Sequence, residues 1–411
     1  MAAVHRRVTM KLYPSVSQAA EMERVCDLHR ALYNAALQER SDAWRLNRVA
    51  IGFAAQCKSL TQIRRDDPAY LGLNAQSLQV TLKRLDRAFA AFFRRVKAGE
   101  TPGFPRFKGR DRFPGWGYKT PGDGFKFAPG ANWRHGRLRL SGIGTLRARG
   151  EARTPGRVVG AELQRQAEGW FLSLVVECEP HRERTGEAVA GLDWGVETMA
   201  TLCTGPMQFS EIENDRLLAQ EQDGLKAAQR DLSRPLRGRR SKRVAKAKRL
   251  LAKRSRRLAN RRQDRNHQTT ARLAAAPAVN ITEDLAVKTM TASAKGTVAK
   301  PGHNVRQKAG LNRAILDTAP GSWLSLLTGK AEEAGGRVIL VDPRKHRPSQ
   351  TDPVSGEVRK KSLDERTHVL PEGRVIGRDQ AAAWVLWNIG QRILGEEQAR
   401  SSATETVASA A

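Results

Sequence analysis

Three short segments constrain this chain more than anything else in it: GLDWG at 191–195, NITEDLAVK at 280–288 and GRDQAAAW at 377–384. Each sets one carboxylate (Asp193, Glu283, Asp379) at the edge of an apolar or small-residue run. Strand ends of a mixed sheet and the start of a helix are where α/β folds place ligands. Three carboxylates gathered there suit hard divalent cations, and two such cations can cut a phosphodiester. Gly195 permits a tight turn or a close backbone approach just after Asp193. Ala381, Ala382 and Ala383 would let the last helix lie close to a sheet. Each acid alone is explained by a helix cap or an exposed surface. Together, in a chain this basic, they point to chemistry. Asp284, beside Glu283, points to the opposite side of an extended segment and is left out.

The chain has 411 residues, enough for two or three domains. Lys and Arg total 72 against 42 acids, a formal net charge of +30. Such a surface repels itself unless a polyanion neutralises it, which makes nucleic acid the leading partner. No apolar run reaches the roughly 18 residues that spanning a membrane needs. MAAVHRRVTMKLYPSV lacks the apolar core of a signal peptide and alternates like a strand. Cys26, Cys57, Cys178 and Cys203 lie far apart without a CxxC pair, arguing against a disulfide framework and for a cytoplasmic, nucleoid-associated protein.

Residues 1–13 read as a strand closed by Pro14, followed by helices over 15–45 and 75–96. GETPGFPRFKGRDRFPGWGY (99–118) sets aromatics, Trp116 among them, between Arg and Lys. Residues 124–180 alternate in short runs, as a small β-barrel or sheet would. A hairpin follows at 189–205, then a helical stretch over 216–275 with sixteen Lys or Arg and two Asp within 231–265. That imbalance argues against a self-paired coiled coil. A strand at 278–285, a helix at 321–335, a strand at 337–343, an irregular stretch at 344–376 and a helix at 379–394 complete the reading.

KLYPS (11–15), ALYNAAL (31–37), LQVTLKRLDRAFAAFFRRVK (78–97), GFPRFK (103–108), GLDWGVETMATLCTG (191–205), EDLAVKTM (283–290) and SQT (349–351) occur in an order that resembles the TnpB (OrfB) RNA-guided nucleases of bacterial insertion sequences. These are relatives of the type V CRISPR effectors, and the similarity spans roughly 1–395. The resemblance implies an α/β plus β-barrel architecture: a RuvC-like, RNase H-fold nuclease domain, and an N-terminal wedge-type β-barrel carrying an inserted helical recognition lobe. In this sequence the wedge barrel would be 1–13 and 119–182, and the recognition lobe 14–118. The nuclease domain would be 188–345 and 376–395, with 216–275 as its basic helical insertion and 396–411 as a disordered tail. Asp193, Glu283 and Asp379 would be both the catalytic residues and the ligands of two Mg²⁺ or Mn²⁺ ions, Asp193 bridging them. The partners implied are a guide RNA from the element end and double-stranded target DNA carrying a short flanking motif.

Two departures stand out. The family's four-cysteine zinc ribbon falls at 346–375, where this chain has no cysteine and Gly356 and Gly373 remain as turn glycines. Zinc is therefore not expected there, and the segment should be loose or held by packing alone. Ala381 stands where the family prefers Asn.

By the same resemblance the basic helices would grip the phosphates of a guide RNA–DNA heteroduplex, through Arg239, Arg240, Lys242, Lys246, Lys253, Arg257, Arg261 and Arg262. Phe104, Arg106, Phe107 and Lys108 combine stacking faces with cations, which suits RNA or single strands. Gln79 lies off the buried stripe of its helix, where an amide can read adenine in the major groove. The expected function is an RNA-guided, metal-dependent DNA endonuclease of a mobile element. The alternatives are a non-cutting RNA-guided regulator, a strand-joining transposase, and a plain basic RNA-binding protein.

Overall fold

The computed structural model describes residues 3–152, 155–180, 182–183, 185–186, 188–233, 242–362 and 364–409, side chains from 400 onward excepted. Arg239 and Arg240 lie outside the described residues. The chain divides into two units, Met1–Pro180 and His181–Ala411.

In the first unit, β1 (Val4–Tyr13) alternates, with Val8, Met10 and Leu12 inward. Pro14 ends it and Ser15 caps α1 (Val16–Asn47) in a reciprocal box with Gln18. Helices α2 (Phe53–Asp66) and α3 (Pro68–Leu71) follow, and neither was expected. Helix α2 is hard to read because it buries only Gln56 and Leu60. Asn74 caps α4 (Ala75–Lys97), which buries Leu78, Leu82, Leu85 and Phe89 while Phe93 turns to solvent.

The strands are β2 (Gly115–Tyr118), β3 (Phe125–Pro129), β4 (Arg134–Leu140), β5 (Gly144–Glu151), β6 (Arg157–Gln166) and β7 (Gly169–Cys178). With β1 they make one seven-stranded antiparallel sheet in the order β2-β6-β7-β1-β5-β4-β3. Trp116, one of the aromatics set between Arg and Lys in 99–118, is fully buried on β2 rather than offered to a base. Its ring meets Trp170 edge-on at 5.5 Å and stacks on His29 at 5.9 Å. The core takes it because an indole buries a large apolar area.

In the second unit, β8 (Val189–Trp194), β9 (Thr198–Gly205) and β10 (Gln208–Glu213) run antiparallel. Helix α5 (Leu217–Ser233) and the strongly basic α6 (Lys242–Ala275) lead to β11 (Val279–Glu283), which joins the far side of β8 in parallel. Helices α7 (Val287–Met290), α8 (Val305–Thr318) and α9 (Pro320–Glu333) precede β12 (Arg337–Val341), parallel to β11. The sheet order is β10-β9-β8-β11-β12. Leu192, Ala200 and Leu202 pack with Leu273, Trp323 and Leu327 in one core cluster. Val189, Val279 and Ile281 pack with Val385, Leu386 and Ile389 in another.

After α10 (Pro343–His346), residues expected to be loose are ordered. A bridge pairs Thr351 with Val358, and β13 (Thr367–Val369) pairs with β14 (Val375–Gly377). Gly356 and Gly373 do sit in left-handed turns, at φ 76° and 85°. Packing alone does not hold the segment, since a buried polar network described below runs through it. Helix α11 (Arg378–Ser409) continues through 396–409, where a disordered tail was expected. No proline interrupts the segment after Gly395, and Glu, Gln, Ala and Arg favour helix. No helix among the described residues is long and apolar enough to cross a membrane. All four cysteines are free.

Candidate active site

Strand periodicity places the first two acids. Gly191 and Asp193 share one face of β8, and Ile281 and Glu283 share one face of β11. Both faces look toward α11: a Cβ on Gly191 would meet Ala383 O at 2.1 Å, and one on Gly390 would meet Ile281 Cδ1 at 2.2 Å. Leu192 pairs with Thr282 across the parallel ladder, so Asp193 and Glu283 come next on adjacent strands, with backbones about 4.8 Å apart.

The third acid arrives on α11. Asp379 is its second residue, and Ala381, Ala382 and Ala383 are buried where the helix lies on the sheet. Gln380, not picked out from the sequence, accepts a bond from Gly377 N at 2.9 Å and donates to Glu211 at 3.3 Å, fixing the helix start. The turn after Asp193 closes with Gly195 N donating to Met199 O at 3.3 Å. A Cβ on Gly195 would lie 2.5 Å from Thr198 O and 3.9 Å from Asp379 Oδ2, so the turn passes close beside this carboxylate.

Electrostatics agrees with that placement. Burial, then the charges of Asp379 and Glu283, push the Asp193 carboxyl well above its ordinary range, against a smaller opposing pull from Arg378. Burial also raises Glu283. Arg378, a second residue missed in the sequence, is anchored through Nη1 to Ser362 O at 3.0 Å. Among the described residues no three His, Cys, Asp or Glu side chains sit in a ready-made metal cage. The three acids form an open cluster instead. Its donor set still fits a divalent cation: the oxygens are hard, the charges of Asp379 and Glu283 both act on Asp193, and Mg²⁺ keeps several waters rather than filling its shell with protein.

The basic residues sort into two kinds. Lys242, Lys246, Lys253 and Arg257 are exposed along α6. Arg261 bonds Gln220 at 2.9 Å and lies 3.5 Å from Glu221. Arg262 does not belong to an exposed face, because its Nε donates to the buried Asp317 at 2.7 Å, tying α6 to α8. In the first unit Arg106 and Phe107 are exposed, while Phe104 is half exposed and packs edge-on against Phe89 and Phe92. The Lys108 backbone is clamped by Asn34 at 2.8 and 3.0 Å. Gln79 accepts from Lys119 Nζ at 3.1 Å.

A family model described as "Probable transposase" matches residues 173–294, and one described as "Helix-turn-helix domain" matches residues 1–48. Over the latter span the structure shows one strand and a single helix of 32 residues. The "Putative RNA-guided DNA endonuclease InsQ" of Escherichia coli K12 is 31% identical over 344 residues, covering 81% of this chain and 79% of that protein. A "Putative RNA-guided DNA endonuclease" of Streptomyces pristinaespiralis is 29% identical over 392 residues, covering 93% and 89%. Among solved structures, the "Cryo-EM structure of the Cas12f1-sgRNA-target DNA complex" matches with a TM-score of 0.59 at 12% identity, covering 91% of this chain and 83% of that one. At that identity the match speaks for a shared fold.

Proposed function

The chain belongs to the TnpB (OrfB) family of RNA-guided DNA endonucleases, and from that premise we propose that it cuts double-stranded DNA chosen by a bound guide RNA. The observation that carries the reading is the gathering of Asp193, Glu283 and Asp379 on one side of the five-stranded sheet, with Asp193 feeling both other charges. Asp193, on the middle strand β8, and Glu283 and Asp379 beside it are the residues that would hold the cations. With Mg²⁺ or Mn²⁺ bound, the pair of ions supplies an activated water and charge stabilisation for the leaving 3′-oxygen. Gln380 and Arg378 keep the Asp379 backbone in place while this happens.

The other parts follow the same reading. Residues 188–345 and 376–395 act as a RuvC-like domain, and the exposed cations of α6 hold phosphates of a guide–target heteroduplex without reading bases. The seven-stranded sheet serves as the wedge barrel, and α1 to α4 as the recognition lobe. There Gln79 helps read the flanking motif, and Arg106 and Phe107 hold RNA. A non-cutting regulator drew its support from the missing ribbon cysteines. That support weakens, since the cysteine-free segment is ordered and all three acids remain in place.

The test is to purify the protein with its copurifying RNA, sequence that RNA, and challenge the complex with a matching target behind a randomised flank in Mg²⁺. Cutting confined to one flank and one guide match supports the reading. A bound guide that directs binding without any cut moves the protein to the regulator class, and no bound RNA overturns both.

A further inference from the structure

The stretch that lacks a zinc ribbon contains three buried polar side chains joined in a line. Asp352, Lys361 and His368 are 9%, 7% and 5% exposed. His368 Nε2 lies 2.7 Å from Asp352 Oδ2, and its Nδ1 lies 2.5 Å from Lys361 Nζ. The other Asp352 oxygen accepts from Val354 N at 2.9 Å, Ser355 N at 2.7 Å and Ser355 Oγ at 3.1 Å. The proton positions follow from the donors and acceptors available. An ammonium offers only donors and a carboxylate only acceptors, so Nδ1 accepts from Lys361 and Nε2–H donates to Asp352. One cation, one neutral ring and one anion leave the buried line with no net charge, and each ring nitrogen has its partner.

The line reaches the active site by a short covalent route. His368 sits on β13 opposite Ile376 of β14, and β14 ends at Gly377, two residues before Asp379. Arg378 N donates to Arg366 O at 2.9 Å, continuing the ladder into α11. On the other flank, Asn388 of α11 donates to Pro353 O at 2.7 Å, beside Asp352. The network thus clamps a hairpin whose end carries the third carboxylate, and the helix it starts is tied back to the same turn.

We propose that Asp352, His368 and Lys361 form a metal-free clamp that replaces a zinc ion as the fastener of this segment and positions Asp379. Zinc does not fit the residues present. Within the clamp the two side chains that could ligate zinc, Asp352 and His368, are bonded to each other, Lys361 occupies the second ring nitrogen, and the cysteines are free and elsewhere. The fastening claim stands on the geometry alone; the positioning claim rests on the nuclease reading.

Asp352→Asn and Lys361→Met test it, singly and combined, in the full chain with its RNA. Asn keeps an oxygen for Val354 N and Ser355 N but turns an amide donor toward Nε2. The ring must then carry its proton on Nδ1, facing the Lys361 ammonium. Removing that ammonium in the double variant relieves the conflict. Hydrogen exchange at the β13 and β14 amides should therefore quicken about tenfold in each single variant and no further in the double. Amides of β1 and β7 serve as the control for global folding. At saturating guide and target the single variants should cut at least about tenfold more slowly with unchanged DNA affinity, which lost stability alone would not produce. Effects on exchange that multiply in the double variant overturn the clamp. So does one zinc per purified chain whose removal by a chelator frees these amides. Altered exchange with normal cutting overturns the positioning claim alone, and a wild-type protein that never cuts overturns the nuclease reading while the exchange data still decide the clamp.

Discussion

Substituting Gly191 by Ala puts the packing of the site under direct test. The new Cβ would lie 2.1 Å from Ala383 O and 2.4 Å from Trp387 N, where ordinary contact begins at 3.4 Å. Both obstacles are helix backbone, so no side chain can swing away. Helix α11 must retreat about 1 Å from β8, or β8 must bulge by as much. Overpacking of this kind costs about 1–3 kcal/mol, which lowers Tm by roughly 2–12 °C for a unit of this size. The rate effect is larger in proportion. Asp379 lies one turn before Ala383 on the same helix, and a misplacement of about 1 Å at a reacting group costs on the order of a hundredfold. Melting curves and single-turnover cutting at saturating guide and target, with DNA affinity measured separately, read the two effects apart. A variant that melts and cuts like the wild type would refute the close seating of α11 on β8, and the placement of Asp379 with it.

Other predictions draw on different parts of the molecule. Burial, with a smaller push from Arg84, lowers His29 from 6.5 to about 3; below pH 6.5 the unfolded chain takes up a proton that the native state refuses, so stability should fall at up to about 1.4 kcal/mol per pH unit toward pH 3. Denaturant titrations should show that slope flattened in His29→Gln. Arg262→Ala leaves Asp317 buried without its guanidinium and should destabilise by about 3–5 kcal/mol. Lys253→Ala should leave Tm unchanged and reduce the salt dependence of nucleic-acid binding by about one unit of slope. Trp116→Ala should cost about 3–5 kcal/mol of stability, whereas Phe107→Ala should spare stability and weaken RNA binding by about 1–3 kcal/mol.

The parts of this protein that were legible in its sequence are those where local pattern and tertiary role coincide. Asp193 and Glu283 end apolar runs that are strands, and the glycine and alanines near the acids mark backbone approaches that the fold does make. Helices α2 and α8 went unread because each buries few apolar residues, so periodicity is faint. Arg262 and Lys253 look alike in a basic run; only Asp317, 55 residues further on, separates an internal ion pair from an exposed cation. Trp116 and Phe107 share one loop-like segment, yet β2 draws the indole into the core and leaves the phenyl outside. The clamp around His368 was invisible for a related reason. Its three members are spread over 352–368, and a lone His, Lys or Asp carries no signal until the fold buries them together.

The most direct test of the account is guide-programmed cutting by Asp193→Asn, Glu283→Gln and Asp379→Asn, each assembled with the same RNA and the same target in Mg²⁺. These changes remove one charge at a time and keep side-chain shape. The account predicts that each variant binds the matched target as the wild type does and cuts it at least about a thousandfold more slowly. Wild-type cutting by any one of the three would contradict it.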